Sequence, residues 1–254
     1  MIKKIVLLPD IHYPNHNQQS MNAVFKFLDY FKPHVVNLIG DAMEMNFASH
    51  WKRKTGDISY TKDSAVETYS NFDNNILSTI EGLLDDDCEK VYMGGNHEHW
   101  VNGMIMKDPT LKGAIEPEIL LGLEERGWDW IPYIKNHKRG IVKYGKLLVT
   151  HGFYTNKYHA AKMADIFSKS IVYGHTHDVQ LYTKVTYDDD GYHTAQSIGC
   201  LCNNRPEFMR GNANRWVNAF AVIYLREDGM YNLYVPIIIN GVFTFERKVF
   251  NGNV

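Results

Sequence analysis

The sequence predicts an α/β protein, and three features of the 254-residue chain support this class. Short aliphatic or β-branched runs recur as far as His177, amphipathic helical patterns lie between them, and hairpin-like turns fill the last third. Strands that alternate with helices are typical of a sheet whose faces are covered by helices. Because no Pro- or Ser-rich linker and no internal repeat interrupts the chain, we expect one domain over residues 1–254.

Five strands are predicted where an apolar run stops at a polar residue, usually beside a glycine. Runs of this length fit strands that are buried on both faces. Glycine at the junction allows a sharp turn out of the strand. The five runs are Ile5–Leu8, Val35–Ile39, Val91–Met93, Leu147–Val149 and Ile171–Tyr173.

Two helices are predicted from apolar residues that recur with helical spacing, and both stripes are expected to face the core. The first stripe contains Met21, Val24, Phe25, Leu28 and Phe31. The second contains Val66, Tyr69, Phe72, Ile76, Ile80 and Leu83. After His177 the segments TYDDDGYHT, LREDGMYNLY and IIINGVFTF each place a glycine-containing turn between β-rich flanks, so we expect an antiparallel last third.

Composition excludes several classes of protein. The formal net charge is −2, so no global basic field indicates nucleic acid, although a local basic patch can exist within a balanced total. Three cysteines are too few for a disulfide framework, and we expect Cys200 and Cys202 to pack in the interior. No apolar run approaches the roughly 20 residues of a membrane span. We therefore expect a soluble, cytoplasmic protein without a membrane partner.

Potential metal ligands follow all five predicted strands. Side chains at the carboxyl ends of neighbouring strands converge in sheets of this kind, and residues two apart in an extended segment point the same way. The set mixes carboxylates, imidazoles and an amide, which suits Mn, Fe, Co, Ni or Zn and argues against Ca. Seven candidates exceed what one tetrahedral ion needs, which favours two ions. They are Asp10, His12, Asp41, Asn96, His151, His175 and His177.

Each motif alone has an ordinary structural explanation, such as a turn at Asp10 and His12 or a buried histidine at His151. Their order along the chain is much more specific. The motifs DIH at 10–12, GDAME at 40–44, GNHE at 95–98, His151 in VTHG, and GHTH at 174–177 resemble the pattern of the calcineurin-like metallophosphoesterases. The resemblance runs from about residue 3 to 180, and SIGC at 197–200 extends it weakly to about 200.

The resemblance implies the αββα sandwich of that family, in which helices flank two packed mixed β-sheets. It also implies two divalent metal ions, of which Mn is expected first and Fe, Zn, Co or Ni are alternatives. Asp41 would bridge the two ions. By the same resemblance, Asp10, His12 and His177 would hold one ion, and Asn96, His151 and His175 the other.

The family's chemistry implies hydrolysis of a phosphate ester by a hydroxide that bridges the metals. His97 resembles the histidine that protonates the leaving oxygen or stabilises the phosphoryl group, and its alternative is a structural group behind the ligands. Glu44 would partner His97, at a position where the family more often has Asp. Glu98 is expected to cap or orient its loop rather than to take part in the reaction.

The substrate is less well determined by the sequence. We expect phosphodiesters, with a nuclease acting on DNA or RNA as the alternative. A Ser/Thr protein phosphatase is disfavoured because Met45, not Arg, follows Glu44, and a non-catalytic binding scaffold is disfavoured by the complete ligand set. Segment 103–132 is a candidate cap over the site. Candidate substrate-binding residues are Lys52, Arg53, His99 and Arg205.

Overall fold

The computed structural model describes residues 2–49, 62–185, 191–206 and 209–253. The proposed substrate residues Lys52 and Arg53 lie outside these ranges. Two mixed sheets form the centre of the molecule.

The first sheet has six strands in the order β13-β12-β1-β2-β3-β4. Its strands are β1 (Lys3–Leu8), β2 (Val35–Ile39), β3 (Glu89–Met93), β4 (Trp128–Ile131), β12 (Ala221–Leu225) and β13 (Tyr231–Tyr234). Strands β1 to β4 are parallel, whereas β12 and β13 join in antiparallel fashion at the side of β1. The carboxyl ends of the four parallel strands therefore lie at one edge of the sheet.

The second sheet has five strands in the order β10-β11-β9-β8-β7. They are β7 (Val142–Tyr144), β8 (Leu147–Thr150), β9 (Ile171–Tyr173), β10 (Leu181–Val185) and β11 (Tyr192–Ser197). Strands β8, β9 and β11 are parallel, and the outer strands are antiparallel to their neighbours. Two small hairpins complete the β-structure: β5 (Ile134–Lys135) with β6 (Lys138–Arg139), and β14 (Val242–Phe245) with β15 (Lys248–Asn251).

Helices cover both sheets. They are α1 (Gln18–Phe31), α2 (Lys62–Phe72), which continues through a π-helical turn (Asp73–Leu77) into α3 (Ser78–Leu83), α4 (Asn96–Lys107), α5 (Pro117–Leu120) and α6 (His159–Phe167). Helix α1 begins after Asn17, whose side chain accepts a hydrogen bond from the Ser20 N–H, and ends at Lys32 in a left-handed conformation. Such caps satisfy backbone groups that a helix leaves unpaired at its ends.

The two sheets pack face to face, with helices outside them. Along β1, Ile5 and Leu7 contact the second sheet through residues such as Val149 and Val172, whereas Val6 and Leu8 belong to the cluster beneath α1. This division follows from the alternation of side chains along a strand. Helix α6 covers the outer face of the second sheet with Met163 and Ala164. The layers are those of the predicted αββα sandwich, and the fold class is confirmed.

The predicted helical stripes are correct in outline and differ in detail. In the first stripe Phe25 is only partly buried, and Phe27 is fully buried instead. In the second stripe Val66 is 45% exposed, and its neighbour Ala65 is buried. Both stripes still face the core through residues such as Tyr69 and Phe72, which are almost completely buried.

The last third is antiparallel as predicted, with two exceptions. Strand β11 pairs in parallel with β9, and IIINGVFTF forms only an isolated bridge across its glycine, between Ile239 and Val242. Strand β14 instead pairs with β15 across Glu246 and Arg247, which both have positive φ. Two successive left-handed residues suit a tight hairpin turn without glycine.

Segment 103–132 contributes the end of α4, the short α5 and strand β4. Ile115, Leu121 and Leu123 are buried in the core cluster beneath α1, and the Tyr69 hydroxyl donates to the Ile115 carbonyl at 2.8 Å. The substrate-selecting role of this segment stays a prediction, without support from this placement. Within the described ranges, no helix combines the length and the apolar character needed to cross a bilayer.

Candidate metal centre

The seven predicted ligands meet where the carboxyl ends of β1, β2 and β3 approach those of β8 and β9. Asp10 and His12 follow β1, Asp41 follows β2, and Asn96 begins α4 directly after β3. The remaining three histidines follow β8 and β9. Together with neighbouring loops, these strand ends enclose a cavity of about 510 Å³. Its lining is His12, Asn15, Asp41, Glu44, Asn46, Asn96, His97, His175, His177, Cys202, Asn203, Pro206 and Trp216.

The backbone at this centre is unusual. Five ligand candidates have φ between 45° and 68°, a region that residues other than glycine seldom adopt. Strained backbone of this kind clusters at functional sites. The five residues are Asp10, His12, Asp41, His175 and His177.

Two glycines let the strand ends approach each other. A Cβ atom at Gly95 would collide with the Asp41 carboxylate, and one at Gly174 would collide with the Asp10 carboxylate. The glycines of GNHE and GHTH therefore make room for the two buried acids, which explains part of the motif in physical terms.

One group of donors contains Asp10, His12 and His177, whose ligand atoms all lie within 4.8 Å of one another. The His177 Nε2 atom is 3.2 Å from Asp10 Oδ1 and 3.2 Å from His12 Nε2. All three side chains are buried. Burial alone would raise the pKa of Asp10, but the His177 imidazole beside it lowers that pKa below its usual value.

The other group contains Asp41, His151 and His175, again within 4.8 Å. Asn96 belongs with them, because its Oδ1 atom lies 3.1 Å from His151 Nε2. Burial and the neighbouring His151 lower the pKa of His175 to about 4, so this imidazole is neutral near pH 7.

Asp41 contacts both groups with one oxygen. Its Oδ2 atom lies 3.3 Å from His151 Nε2 and 3.7 Å from His12 Nε2. The other oxygen, Oδ1, accepts a hydrogen bond from the His97 N–H at 2.8 Å. Asp41 is therefore the residue that joins the two groups.

The donor set fits divalent cations because atoms with lone pairs face one another across the site, and a cation between them would bind to all of these atoms. His151 Nδ1 lies 3.0 Å from the Ile39 carbonyl, which can only accept, so Nδ1 carries a hydrogen. The Nε2 lone pair of a neutral His151 then faces the oxygens of Asn96 and Asp41. Such a meeting of acceptors needs a cation or a proton at its centre. Burial would lower the pKa of His151, but Asp41 beside it raises that pKa to about 9.

Groups behind the ligands orient the other imidazoles in the same way. His12 Nδ1 lies 2.9 Å from the Glu44 carboxylate, so its Nε2 atom faces the centre. His177 Nδ1 lies 3.7 Å from Cys202 Sγ, and the Trp216 ring packs edge-on against His177 with centroids 4.3 Å apart. Orientation of metal-binding histidines by hydrogen bonds at the distal nitrogen is general in metalloproteins.

His97 faces the same cavity without belonging to either group. Its Nε2 atom lies 3.9 Å from Asp41 Oδ2, and its ring stacks on Trp100 at 3.9 Å. Burial lowers the pKa of His97. His97 Nδ1 bonds the main-chain carbonyl of Glu44 at 2.8 Å. The Glu44 carboxylate lies within 4.8 Å of ring nitrogens of both His97 and His12 and forms its hydrogen bond with His12. The partnership of the Glu44 side chain with His97 stays a prediction.

Glu98 orients its loop, as expected. Its buried carboxylate accepts hydrogen bonds from the N–H groups of Gly95 at 2.7 Å, Asp41 at 3.0 Å, Ala42 at 2.9 Å and Met43 at 3.3 Å. Glu98 thereby ties the loop after β2 to the start of α4. Burial, together with the charge of Asp41, raises the pKa of Glu98 to about 7.

A buried network behind GHTH was not anticipated from the sequence. The His159 ring on α6 lies 2.7 Å from the Tyr173 hydroxyl and 3.1 Å from the Asp178 carboxylate. Asp178 also accepts hydrogen bonds from the hydroxyls of Thr176 at 2.8 Å and Ser197 at 3.1 Å. The network fixes both ends of the segment that carries His175 and His177.

Two of the proposed substrate residues lie within the described ranges, and neither lines the cavity. The His99 ring contacts the Tyr133 ring at 5.8 Å. Arg205 lines an adjoining cavity of about 540 Å³, which shares Pro206 and Trp216 with the first. Asn15, Asn46, Asn203, Pro206 and Trp216 line the main cavity and were not predicted. Asn46 begins a short 3-10 helix (Asn46–Ala48), and the other four come from loops, where the sequence shows no periodic pattern.

Comparison with known proteins gives no family assignment. No protein-family model matches the chain, and no curated protein matches it.

Solved structures of Vps29 are similar to this chain. Wild-type Vps29 complexed with Zn²⁺ from Entamoeba histolytica is 12% identical, and the match covers 98% of this chain and 99% of that one with a TM-score of 0.47. Vacuolar Protein Sorting 29 from Cryptosporidium parvum is 11% identical over 93% and 97% of the two chains, with a TM-score of 0.41. Likeness at this level says nothing about activity, and the fold class rests on the two sheets described above.

Proposed function

We propose that this protein is a dinuclear metallophosphoesterase of the calcineurin-like family, which hydrolyses phosphate esters and acts best on phosphodiesters. One observation carries the proposal. Asp41, a member of one group of nitrogen and oxygen donors, also lies 3.7 Å from His12 of the other, and both groups contribute side chains to a cavity large enough for an ester substrate.

The residues would hold two divalent ions as follows. Asp10, His12 and His177 hold one, Asn96, His151 and His175 hold the other, and Asp41 contacts both. Manganese is the first expectation, and Fe, Zn, Co or Ni also suit mixed nitrogen and oxygen donors. Two such ions would supply Lewis acidity, which lowers the pKa of a bound water molecule and offsets the charge on a transferring phosphoryl group.

The charge of the loaded centre favours an anionic substrate. Two divalent ions bring four positive charges, whereas the donor set contains only two carboxylates, those of Asp10 and Asp41. Even with the Glu44 carboxylate behind His12, the centre would keep one net positive charge before the bound water loses its proton. A phosphate ester is attracted by this field, and its phosphoryl oxygens are suitable ligands for both ions.

The position of His97 supports a role in moving a proton at the ester. Its Nδ1–H is held by the Glu44 carbonyl, so Nε2 is the atom that faces the cavity. When Nε2 is protonated it can donate to the leaving oxygen or to a phosphoryl oxygen. The stacked Trp100 ring and the hydrogen bond at Nδ1 keep the imidazole in this orientation.

Hydrolysis of bis-p-nitrophenyl phosphate and p-nitrophenyl phosphate tests the proposal. The full chain is treated with EDTA, Mn²⁺ is returned, and bound metal is counted by elemental analysis. We expect about two ions per chain, turnover that depends on them, and a faster rate on the diester. Two bound ions without turnover of either ester would contradict the enzymatic proposal and favour a binding scaffold.

A further inference from the structure

The chain contains a strongly basic segment that its balanced net charge conceals. Between Asp129 and Asp165 there is no Asp or Glu, while the same segment contains seven Lys and Arg residues. It begins within β4, includes the β5–β6 hairpin and the metal-ligand candidate His151, and ends in α6.

All seven of these cations are exposed. We call five of them the basic strip, three in the β5–β6 hairpin and two beyond His151. They are Lys135, Lys138, Arg139, Lys157 and Lys162. Arg139 is held on aromatic rings, with its guanidinium carbon 5.0 Å from the Tyr133 centroid and 4.6 Å from the Phe153 centroid. Lys162 lies over the Tyr154 ring, with Nζ 4.0 Å from the centroid.

The aromatic anchors connect the strip to the metal centre. The Tyr133 ring lies 5.6 Å from the His151 ring, and its hydroxyl donates to the Gly152 carbonyl at 3.2 Å. Phe153 follows two residues after His151 and contacts both Tyr133 and Tyr154. A continuous series of ring contacts therefore runs from His151, a proposed metal ligand, to Lys162.

The charges of the strip are not neutralised within the described part of the chain. None of its five cations forms an ion pair with a carboxylate there, and Asp165, the acid at the end of the segment, is paired with Lys184 at 2.9 Å. A cation held on an aromatic face keeps its charge and most of its N–H groups available to an anion. The strip is thus built to bind a ligand that carries several negative charges.

We propose that the basic strip binds single-stranded nucleic acid and leads its backbone into the metal centre, an inference that rests on the proposed phosphoesterase function. Repeated phosphates match the row of cations, and the exposed guanidinium of Arg139 can also stack on a base. Most of the candidate ligands are buried, with exposures of 0% for Asp10, 2% for Asp41 and 1% for His151, whereas Asn96 and His175 are partly exposed. A flexible strand can enter such a recess, whereas a rigid duplex cannot bend its backbone into it.

Binding of a fluorescent 20-nucleotide oligo-dT to the full chain in EDTA tests the strip without turnover. We expect the double variant Arg139→Gln, Lys162→Gln to weaken binding by about tenfold or more near 0.1 M salt. It should also reduce the slope of log K against log salt by about 0.7 for each phosphate that the variant no longer neutralises. The matched control is Lys248→Gln, because Lys248 also lies over a tyrosine, 3.7 Å from the Tyr30 centroid, but outside the strip.

The control should bind oligo-dT like the parent chain. Equal affinity of the double variant and the parent, or an equal loss of affinity in the control, would overturn the proposal. So would competition by duplex DNA or by phosphatidylserine vesicles that is as strong as competition by unlabelled oligo-dT, because the strip would then recognise negative charge in general.

Turnover with Mn²⁺ separates this inference from the proposed function. The double variant should lose about tenfold in kcat/KM on oligo-dT and keep the parent rate on bis-p-nitrophenyl phosphate, which also shows that it is folded. Diester turnover without oligonucleotide binding would refute the strip alone. Strip-dependent binding without hydrolysis of any ester would refute the phosphoesterase proposal and leave the strip as a nucleic-acid site.

Discussion

The Glu44 carboxylate lies 2.9 Å from Nδ1 of His12, although the sequence pattern places Glu44 beside His97. This contact holds the hydrogen of His12 on Nδ1 and leaves Nε2 for the centre. Glu44 therefore belongs to the support of a proposed metal ligand. The hydrogen bond between Glu44 and His97 uses the main-chain carbonyl of Glu44.

Glu44→Gln is expected to weaken metal binding. An amide can keep a hydrogen bond to Nδ1, but it removes the charge that increases the basicity of His12. Loss of such a partner lowers metal affinity by about 10- to 100-fold. The measurement is a Mn²⁺ titration followed by calorimetry and by diester turnover. If Glu44 served His97 instead, metal affinity would stay unchanged and only the pH profile of turnover would move.

Asp41→Asn is expected to remove more metal than any other single ligand substitution. Asp41 Oδ2 contacts both donor groups, so the change weakens both sites, and we expect the metal content to fall from about two ions per chain to one or none. Elemental analysis and turnover are measured together. Asp129→Asn makes the same chemical change at an exposed position of β4 and should keep both ions. Retention of two ions by Asp41→Asn would contradict its shared position.

His97→Ala is expected to keep the metals and lose rate. His97 lies in neither donor group, whereas its Nε2 atom faces the cavity, and removal of a proton-transfer group typically costs about 10²- to 10⁴-fold in rate. His137→Ala is the control, because His137 is exposed between β5 and β6 and does not line the cavity. Rates on bis-p-nitrophenyl phosphate are compared at equal metal content. An unchanged rate in His97→Ala would remove the proton-transfer role.

The proximity of the seven ligand candidates could be predicted from the sequence, and the reason is physical. Each follows a predicted strand, and the ends of parallel strands meet at one edge of a sheet. The packing of the two sheets then brings the edge formed by β1, β2 and β3 to the edge formed by β8 and β9. Gly95 and Gly174 also follow predicted strands. Each makes room for a carboxylate that comes after another strand.

Side chains placed by long-range packing could not be predicted. The Trp216 ring contacts His177 from an irregular segment, which is joined to the rest of the fold nearby by an isolated β-bridge between Cys200 and Asn218. The contact between His159 and Asp178 joins helix α6 to the loop after β9, and no sequence pattern around either residue indicates that the two are partners. The choice of Glu44 between His12 and His97 depends on one side-chain conformation. Spacing along the chain does not determine such a choice.

Metal binding is expected to release a proton and to strengthen as the pH rises towards about 9. In protein treated with EDTA, Asp41 raises the pKa of His151 to about 9 although burial opposes this, so His151 is protonated at pH 7. The ion needs the neutral imidazole, so the proton on His151 leaves, and this step alone makes the apparent affinity rise about tenfold per pH unit below pH 9. Calorimetry at one pH in buffers of different ionisation enthalpy counts the protons released.

The raised pKa of His151 also predicts how the thermal stability of the EDTA-treated protein depends on pH. The pKa of His151 is about 9 in the folded protein and about 6.5 in the unfolded chain. Protonation of His151 therefore stabilises the fold fully below pH 6.5, and this stabilisation is lost as the pH rises through about 9. The Tm in EDTA should therefore fall across this window. With Mn²⁺ present the fall should be smaller or reversed, because the ion takes the place of the proton between His151, Asn96 and Asp41. A Tm that stays level across the window in EDTA would show that the proton on His151 does not stabilise the fold.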